Sequence, residues 1–399
     1  MIDKVKISVH QLNTVTGDLD GNTFKIKECL MKDTINSVDI SVFPETAISG
    51  YMCGSLWDRI DFVRNQINKL KEIKDYYNSL RMKGVIVIGY VKINRIRRNG
   101  FPELKNSVAI IDGNGIRSYS KQILADSDHH EDKKYFVPGN KTKVFKVDLP
   151  SIGEITIGTP ICEDSWNTDH NRDIPMEMVK MGAEILIIPN QSYFYYGKQE
   201  KRVNLFSKIA KNNFVPVVSV NSVGVGDILK NIVIFDGGSL VFDNYGRCIK
   251  ELPRFEEVLN ETFTISQLKP KSTNKYSKYK EITDAILFEQ KEFFKLSGIK
   301  KAQVHVSGGL DSSIVAALVY KSMGKDNVVF ISNPSSLNTK SRDYVSHLDE
   351  KLGTTTWWQP IQSTVNELLF MDNNHMIKDG APELSDTAKA SIHAVLRSV

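Results

Sequence analysis

One cysteine of this chain stands where a nucleophile would be built. The run Thr159-Pro160-Ile161-Cys162-Glu163-Asp164-Ser165-Trp166 follows an alternating strand, Glu154-Ile155-Thr156-Ile157, and leads into turn-prone residues. The pattern predicts Cys162 at the carboxyl end of a buried strand, where open α/β layers gather their reacting groups. A thiol at such an edge is expected to be partly exposed and ionised by a neighbouring cation. Two further groups fall at strand ends. Glu45 follows the period-2 run Val38 to Phe43, and Lys121 lies on the strand returning from the turn Asp112-Gly113-Asn114-Gly115. A carboxylate at an apolar rim, a lysine and a thiol make a set for breaking an amide. The carboxylate takes the thiol proton, the ammonium steadies thiolate and oxyanion, and the returned proton expels ammonia.

The elements that must bring these groups together alternate from residue 1 to about 262. Strands are expected at Val5 to His10, Val38 to Phe43, Val85 to Val91, Ser107 to Ile111, Ile185 to Ile188, Val215 to Val220 and Ser239 to Phe242, with helices at Asn22 to Met31 and Trp57 to Met82. Alternation with a hairpin inside predicts a layered α/β sandwich. Residues 263–281, rich in lysine and poor in apolar side chains, are expected to be a solvated linker. From residue 282 a second α/β unit is expected. It has strands at Lys301 to Val306, Val328 to Ile331 and Thr354 to Trp358, and helices at Ile314 to Met323 and Lys340 to Leu352.

Composition bounds the partners. The 399 residues are 41% apolar and 25% charged, with a net charge of +5. That length predicts more than one core, and the small charge leaves no footprint for nucleic acid. Cys29, Cys53, Cys162 and Cys248 are scattered without a C-x-x-C pair, which argues against a zinc site or a disulfide framework and for the reducing cytoplasm. No apolar run nears the ~20 residues of a membrane span, and no signal-peptide pattern precedes the first strand.

Taken in order, the motifs resemble the nitrilase, or carbon–nitrogen hydrolase, family. They are Phe43-Pro44-Glu45 with Gly50-Tyr51, Tyr119-Ser120-Lys121-Gln122, Tyr135-Phe136-Val137-Pro138-Gly139, Ile161-Cys162-Glu163-Asp164-Ser165-Trp166, Pro189-Asn190-Gln191-Ser192 with Gly197-Lys198, and Phe235-Asp236-Gly237-Gly238-Ser239. The resemblance is greatest to the glutaminase domains of glutamine-dependent NAD synthetases. It implies an αββα sandwich, a catalytic triad of Glu45, Lys121 and Cys162, and a glutamine pocket lined by Tyr51, Glu163, Ser192 and Lys198. The chain departs from the family at Leu124-Ala125-Asp126-Ser127, where a Leu-Pro-x-Tyr run is usual. Asp132, with Glu131 beside it, stands where the family has a longer carboxylate that orients the lysine. Val223 to Ile234 is expected to be a loop insertion near the site.

In the second unit, Ser307-Gly308-Gly309-Leu310-Asp311-Ser312-Ser313 sits between a strand and a helix. Glycine N–H groups and a helix N-terminus suit a phosphate. The string resembles the pyrophosphate loop of N-type ATP pyrophosphatases. The resemblance implies a parallel sheet of the adenine nucleotide α hydrolase-like type, with ATP held by Ser307, Gly308, Gly309, Asp311, Ser312 and Ser313, and Mg²⁺ by Asp311. Asn333-Pro334-Ser335-Ser336 stands where the synthetases have a loop near the adenosine. Asp386 to Val399 resembles the start of a synthetase helix, with Lys389, Ser391 and His393 in place of its Gln and Arg residues. The sheet is expected to be incomplete. The reading that joins both halves is a cytoplasmic, homo-oligomeric enzyme. It hydrolyses glutamine and uses the ammonia for ATP-dependent amidation of deamido-NAD. The alternatives are a stand-alone amide hydrolase with an inactive ATP-binding remnant, and a nucleotide-binding scaffold.

Overall fold

The structure is a computed structural model. It describes residues 2–126, 130, 132–166, 170–228, 231–274, 276–334, 341–367, 370 and 391. The chain divides into two compact units between Ala285 and Ile286.

In the first unit the chain runs through β1 (Lys6–Gln11), α1 (Leu19–Ile35), β2 (Ile40–Val42), α2 (Ile60–Ser79), β3 (Val85–Ile96), β4 (Pro102–Asp112), β5 (Gly115–Ser120) and the short α3 (Asp132–Tyr135). It continues through β6 (Val144–Leu149), β7 (Gly153–Gly158), α4 (Ile174–Lys180), β8 (Ile185–Asn190), α5 (Lys198–Asn213) and β9 (Val217–Asn221). The hairpin β10 (Val223–Ile228) and β11 (Asn231–Asp236) follows, then β12 (Leu240–Phe242), β13 (Cys248–Glu251), β14 (Val258–Thr264) and the start of α6 (Lys278–Leu296). Two six-stranded sheets result, ordered β14-β1-β2-β3-β4-β5 and β13-β12-β9-β8-β7-β6. The centre of each is parallel and its edges antiparallel.

Side-chain alternation explains the layering. On β3 and β4, Val85, Val87, Val108 and Ile110 join the cluster that holds Ile157, Ile187 and Val218 of the other sheet. Their neighbours Ile86, Ile88, Ala109 and Ile111 pack instead with Ile26 and Leu30 of α1 and Leu70, Ile73 and Tyr77 of α2. A strand covered on both faces reads as a continuous apolar run, as these do. The helices supply the outer layers by apolar stripes at helical spacing, such as Phe62, Val63, Leu70, Ile73 and Tyr77. The expected αββα sandwich is therefore observed.

Several details differ from the sequence reading. Cys162 is not on a strand end: β7 stops at Gly158, and Cys162 opens a 3-10 turn to Ser165. The expected insertion at Val223 to Ile234 is a hairpin, β10–β11, because its alternating residues pair across the two strands. Thr264 is still in β14, and Phe263 and Ile265 are buried in the main core, so packed chain continues past residue 262. Within 263–281, Glu281 pairs with Arg254 at 2.7 Å, both side chains buried, and Arg254 also meets Asp236, which Arg202 holds at 2.5 Å.

The second unit has a parallel sheet of β15 (Ala302–His305), β16 (Val328–Ser332) and β17 (Trp357–Trp358), in that order. Helices α7 (Leu310–Met323) and α8 (Ser341–Leu352) connect its strands. Val304, Val306, Ala316, Val319, Phe330 and Val345 form its core. Ser335, Ser336, Lys389 and His393 lie outside the described residues, as do Ser127 and Glu131.

The sandwich brings backbone against backbone near the site. A Cβ on Gly89 of β3 would stand 2.3 Å from Thr46 N, 2.4 Å from Pro44 O and 2.5 Å from Glu45 Cα. None of these is a flexible side chain, so Gly89→Ala must shift the turn carrying Glu45. We expect this variant to lose roughly 1–3 kcal/mol, which for a unit of this size is a Tm fall of roughly 2–12 °C. Gly113→Ala, where nothing stands within 4 Å, should leave Tm unchanged. Calorimetry on both variants makes the comparison, and equal midpoints would contradict the close approach.

Candidate active site

Four strand ends deliver the site. β2 leads to Glu45, β5 ends immediately before Lys121, β7 leads to Cys162, and β8 leads to Gln191 and Ser192. Glu45 and Lys121 are each 1% exposed, and their charged ends are 2.8 Å apart. Asp132, fully buried at the start of α3, meets the same ammonium at 2.7 Å. One lysine thus bridges two carboxylates. A buried charge of this kind persists only when it is paired and hydrogen-bonded.

The remaining bonds hold those carboxylates in place. Glu45 Oε1 accepts from Asn106 Nδ2 at 2.7 Å, and Oε2 accepts from the Gln191 backbone N–H at 2.9 Å. Glu45 is therefore held by donors rather than by an apolar rim. Asp132 Oδ1 accepts from the Tyr51 hydroxyl at 2.7 Å, and Oδ2 accepts from the Ala125 N–H at 3.0 Å. The shorter aspartate still reaches the lysine because α3 sets its backbone close by, with Phe136 N–H bonded to its carbonyl at 2.8 Å. Tyr51, expected in the glutamine pocket, backs Asp132 and lies edge-on to Phe235.

Electrostatics follow from this packing. Burial works against the charge of Lys121, but Asp132 and then Glu45 outweigh it and hold the ammonium well above its usual range. Lys121 in turn keeps Asp132 below the ordinary carboxylate range despite burial. Burial and then Glu45 push the Cys162 thiol well above its usual value, and Lys121 pulls the other way without prevailing. Cys162 is also only 6% exposed. The expectation of a partly exposed, ionised thiol is corrected on both counts: desolvation beats the single cation. Burial therefore favours the neutral thiol of Cys162 over the thiolate.

The turn itself is strained and braced. Cys162 has φ +44°, a left-handed backbone that costs a non-glycine residue about 1 kcal/mol or more. Asp164 supplies the brace. Its Oδ2 accepts from Ile161 N–H at 3.1 Å and the Tyr119 hydroxyl at 2.8 Å, and its Oδ1 accepts from Gln122 N–H and Ile123 N–H at 2.9 and 2.8 Å. One buried carboxylate thus ties the chain before the thiol to the chain leaving Lys121. Burial pushes that carboxyl up to about 6.

Of the other expected site residues, Ser192 is buried and fixed by its N–H to Asn221 Oδ1 at 2.9 Å. Lys198 lies over three rings, with Nζ 4.5 Å from the centroid of Trp166, 4.9 Å from Tyr195 and 5.5 Å from Tyr193. Burial lowers its pKa, and Cys162 and Glu163 both act on it. Glu163 is partly exposed and meets His170 at 3.1 Å. Sequence reasoning missed Asn106, the Asp164 brace, His170 and the aromatic surround of Lys198. Asn106 left no signal, since it stands between Lys105 and Ser107 in the polar half of β4. In the second unit, Ser307 and Ser312 hydroxyls are 3.1 Å apart, and those of Ser312 and Ser313 bond Gly309 O at 3.1 and 2.8 Å. Gly308 has φ +79°, and α7 begins at Leu310 with Asp311 in its first turn.

An αββα sandwich with a buried carboxylate–lysine–carboxylate cluster beside a cysteine turn defines a class, the hydrolases of carbon–nitrogen bonds. The chain belongs to the carbon-nitrogen hydrolase family, whose sequence model matches residues 6–270, and the NAD synthase model matches residues 282–399. A glutamine-dependent NAD(+) synthetase of Thermotoga maritima is 27% identical over 92% of this chain and 67% of its own length. The structure of the glutamine-dependent NAD+ synthetase of Acinetobacter baumannii in complex with ADP superposes with a TM-score of 0.82, at 22% identity, over 97% of this chain and 70% of that one. An amidase of the nitrilase superfamily from Nesterenkonia superposes with a TM-score of 0.53 at 16% identity over 67% of this chain and 94% of its own. The chain spans about two-thirds of the length of the curated synthetases it matches.

The protonated thiol is testable without substrate. Alkylation of Cys162 by iodoacetamide, followed by peptide mass spectrometry from pH 6 to 10, should rise through the alkaline limb without a plateau near neutrality. A plateau at pH 7 would mean that the thiolate is already formed.

Proposed function

We propose that the chain uses glutamine as an ammonia source for ATP-dependent amidation of deamido-NAD. The observation carrying this reading is the Lys121 ammonium between Glu45 and Asp132 at 2.8 and 2.7 Å, beside Cys162. The first compact unit, which keeps packing past residue 262 and ends at Ala285, acts as the amidase, and the second unit carries the ATP-using part.

Cys162 Sγ attacks the glutamine amide carbon as its proton passes to Glu45. Lys121 faces the negative charge that develops, and Glu45 returns the proton to the departing ammonia. Glu45 then activates water against the thioester, releasing glutamate. The zwitterionic end of glutamine finds opposite charges in Glu163, for its ammonium, and in Lys198, for its carboxylate. Tyr51 and Ser192 shape the same pocket. Lys198 suits this role because aromatic faces, rather than a competing carboxylate, surround it.

In the second unit, N–H groups of Gly308 and Gly309 and hydroxyls of Ser307, Ser312 and Ser313 bind the ATP phosphates. Among the described residues no three His, Cys, Asp or Glu side chains cluster as a metal site. One carboxylate, Asp311, completed by phosphate oxygens and water, is a usual way to hold Mg²⁺, and the ion would offset phosphate charge. The nicotinate carboxylate attacks the α-phosphorus of ATP, pyrophosphate leaves, and ammonia displaces AMP. The four cysteines are free, which suits a reducing cytoplasm, and assembly as a homo-oligomer belongs to the same reading. Among the described residues no helix is long and apolar enough to cross a membrane.

One assay tests the whole: glutamine, Mg-ATP and deamido-NAD, with glutamate and NAD followed together by mass spectrometry. Both products are expected. Cys162→Ala should cut glutamate formation by roughly 10⁴-fold while leaving ammonia-driven NAD formation intact. Asp311→Ala should cut NAD formation by roughly 100-fold and spare glutamate. Glutamate without NAD from the unaltered chain would reduce the reading to an amidase.

A further inference from the structure

Glu163 is engaged on its outer side by a group that the reaction does not use. His170 Nε2 lies 3.1 Å from Glu163 Oε1, and since a carboxylate can only accept, the ring N–H donates. His170 also lines an open cleft of about 750 Å³. The walls of that cleft come from the segments that leave the reacting groups. Gln122, Ile123 and Leu124 follow Lys121 directly, and His170, Asn171 and Arg172 follow the Cys162 turn. The other cations of the cleft are held elsewhere. Arg172 bonds Glu177 at 2.6 Å and Gln122 at 2.9 Å, and Lys133 pairs with Asp126. Glu163 follows Cys162 directly in the chain, and one of its oxygens is held by the imidazole that lines the cleft.

We infer that His170 is a latch on Glu163, competing with the α-ammonium of the substrate and so setting the KM for glutamine. This rests on the reading that Glu163 takes that ammonium. An amide bearing an α-amino group replaces the His170 bond with a stronger, fully charged one. An amide lacking it leaves the His170–Glu163 pair closed. The latch taxes glutamine slightly, because its bond to Glu163 must break, and it keeps Glu163 paired when any simple amide enters. It also spares the site an unpaired carboxylate between turnovers.

The test uses the full chain and two substrates: glutamine, and the same amide without its α-amino group (glutaramate). His170→Ala should lower KM for glutamine roughly three- to tenfold, the scale of one partly exposed hydrogen bond to a charge. It should leave kcat for glutamine and KM for glutaramate unchanged. His170→Gln keeps a donor and should restore a KM for glutamine near the original. An unchanged or raised KM for glutamine in His170→Ala would overturn the latch. An equal fall for both substrates would also overturn it, by marking a merely steric opening. An unaltered chain that fails to hydrolyse glutamine at all would instead sink the glutaminase reading, and the latch with it.

Discussion

The structure depends on keeping one ammonium charged where no water reaches it. Lys121 is 1% exposed, and desolvation alone would strip its proton. Two carboxylates at 2.7 and 2.8 Å prevent this, and each then needs donors of its own. The Asn106 amide, the Gln191 N–H, the Tyr51 hydroxyl and the Ala125 N–H provide them. Asn106 lies on β4 of one sheet, Gln191 follows β8 of the other, and Tyr51 and Ala125 lie outside the strands, so the cluster draws on segments that the packed sandwich brings together. Burial, and then the Glu45 carboxylate of this cluster, also hold the Cys162 thiol above its usual range.

Asp164 extends the same logic to geometry. Cys162 has a left-handed backbone and Lys121 lies just past a strand, both positions a free chain would leave. Four bonds from one buried side chain fix the two segments to each other. Strain at Cys162 is thus offset by a carboxylate whose two oxygens accept from protein donors on both segments. Gly89 plays the complementary part on the Glu45 side, where any side chain would collide with backbone.

Periodicity made many of the strands legible and, with them, the neighbourhoods of Glu45, Lys121 and Cys162, although β7 stops at Gly158, short of the cysteine turn. The double covering of β3 and β4 shows instead as continuous apolar runs, Val85 to Ile88 and Val108 to Ile111. What could not be read was anything set by meetings across the chain. Asp164 and Ile123 are 41 residues apart, and Gln191 and Glu45 are 146 apart. The state of the thiol was misread because local sequence shows the cation nearby but not the desolvation that outweighs it. The β10–β11 hairpin was misread as a loop insertion, although Val223-Gly224-Val225-Gly226 alternates. Glu281 lies within what sequence alone suggested was solvated linker, and its burial depends on Arg254, outside that segment.

A thiol kept in its neutral form has a chemical consequence apart from catalysis. Peroxides and other oxidants attack thiolates far faster than thiols, and the first product, a sulfenic acid, leads on to forms that are not reversed. A cysteine protected by burial and by Glu45 is a poor target for them while the site is empty. The burial that holds the thiol neutral therefore also makes Cys162 a slow target for oxidation.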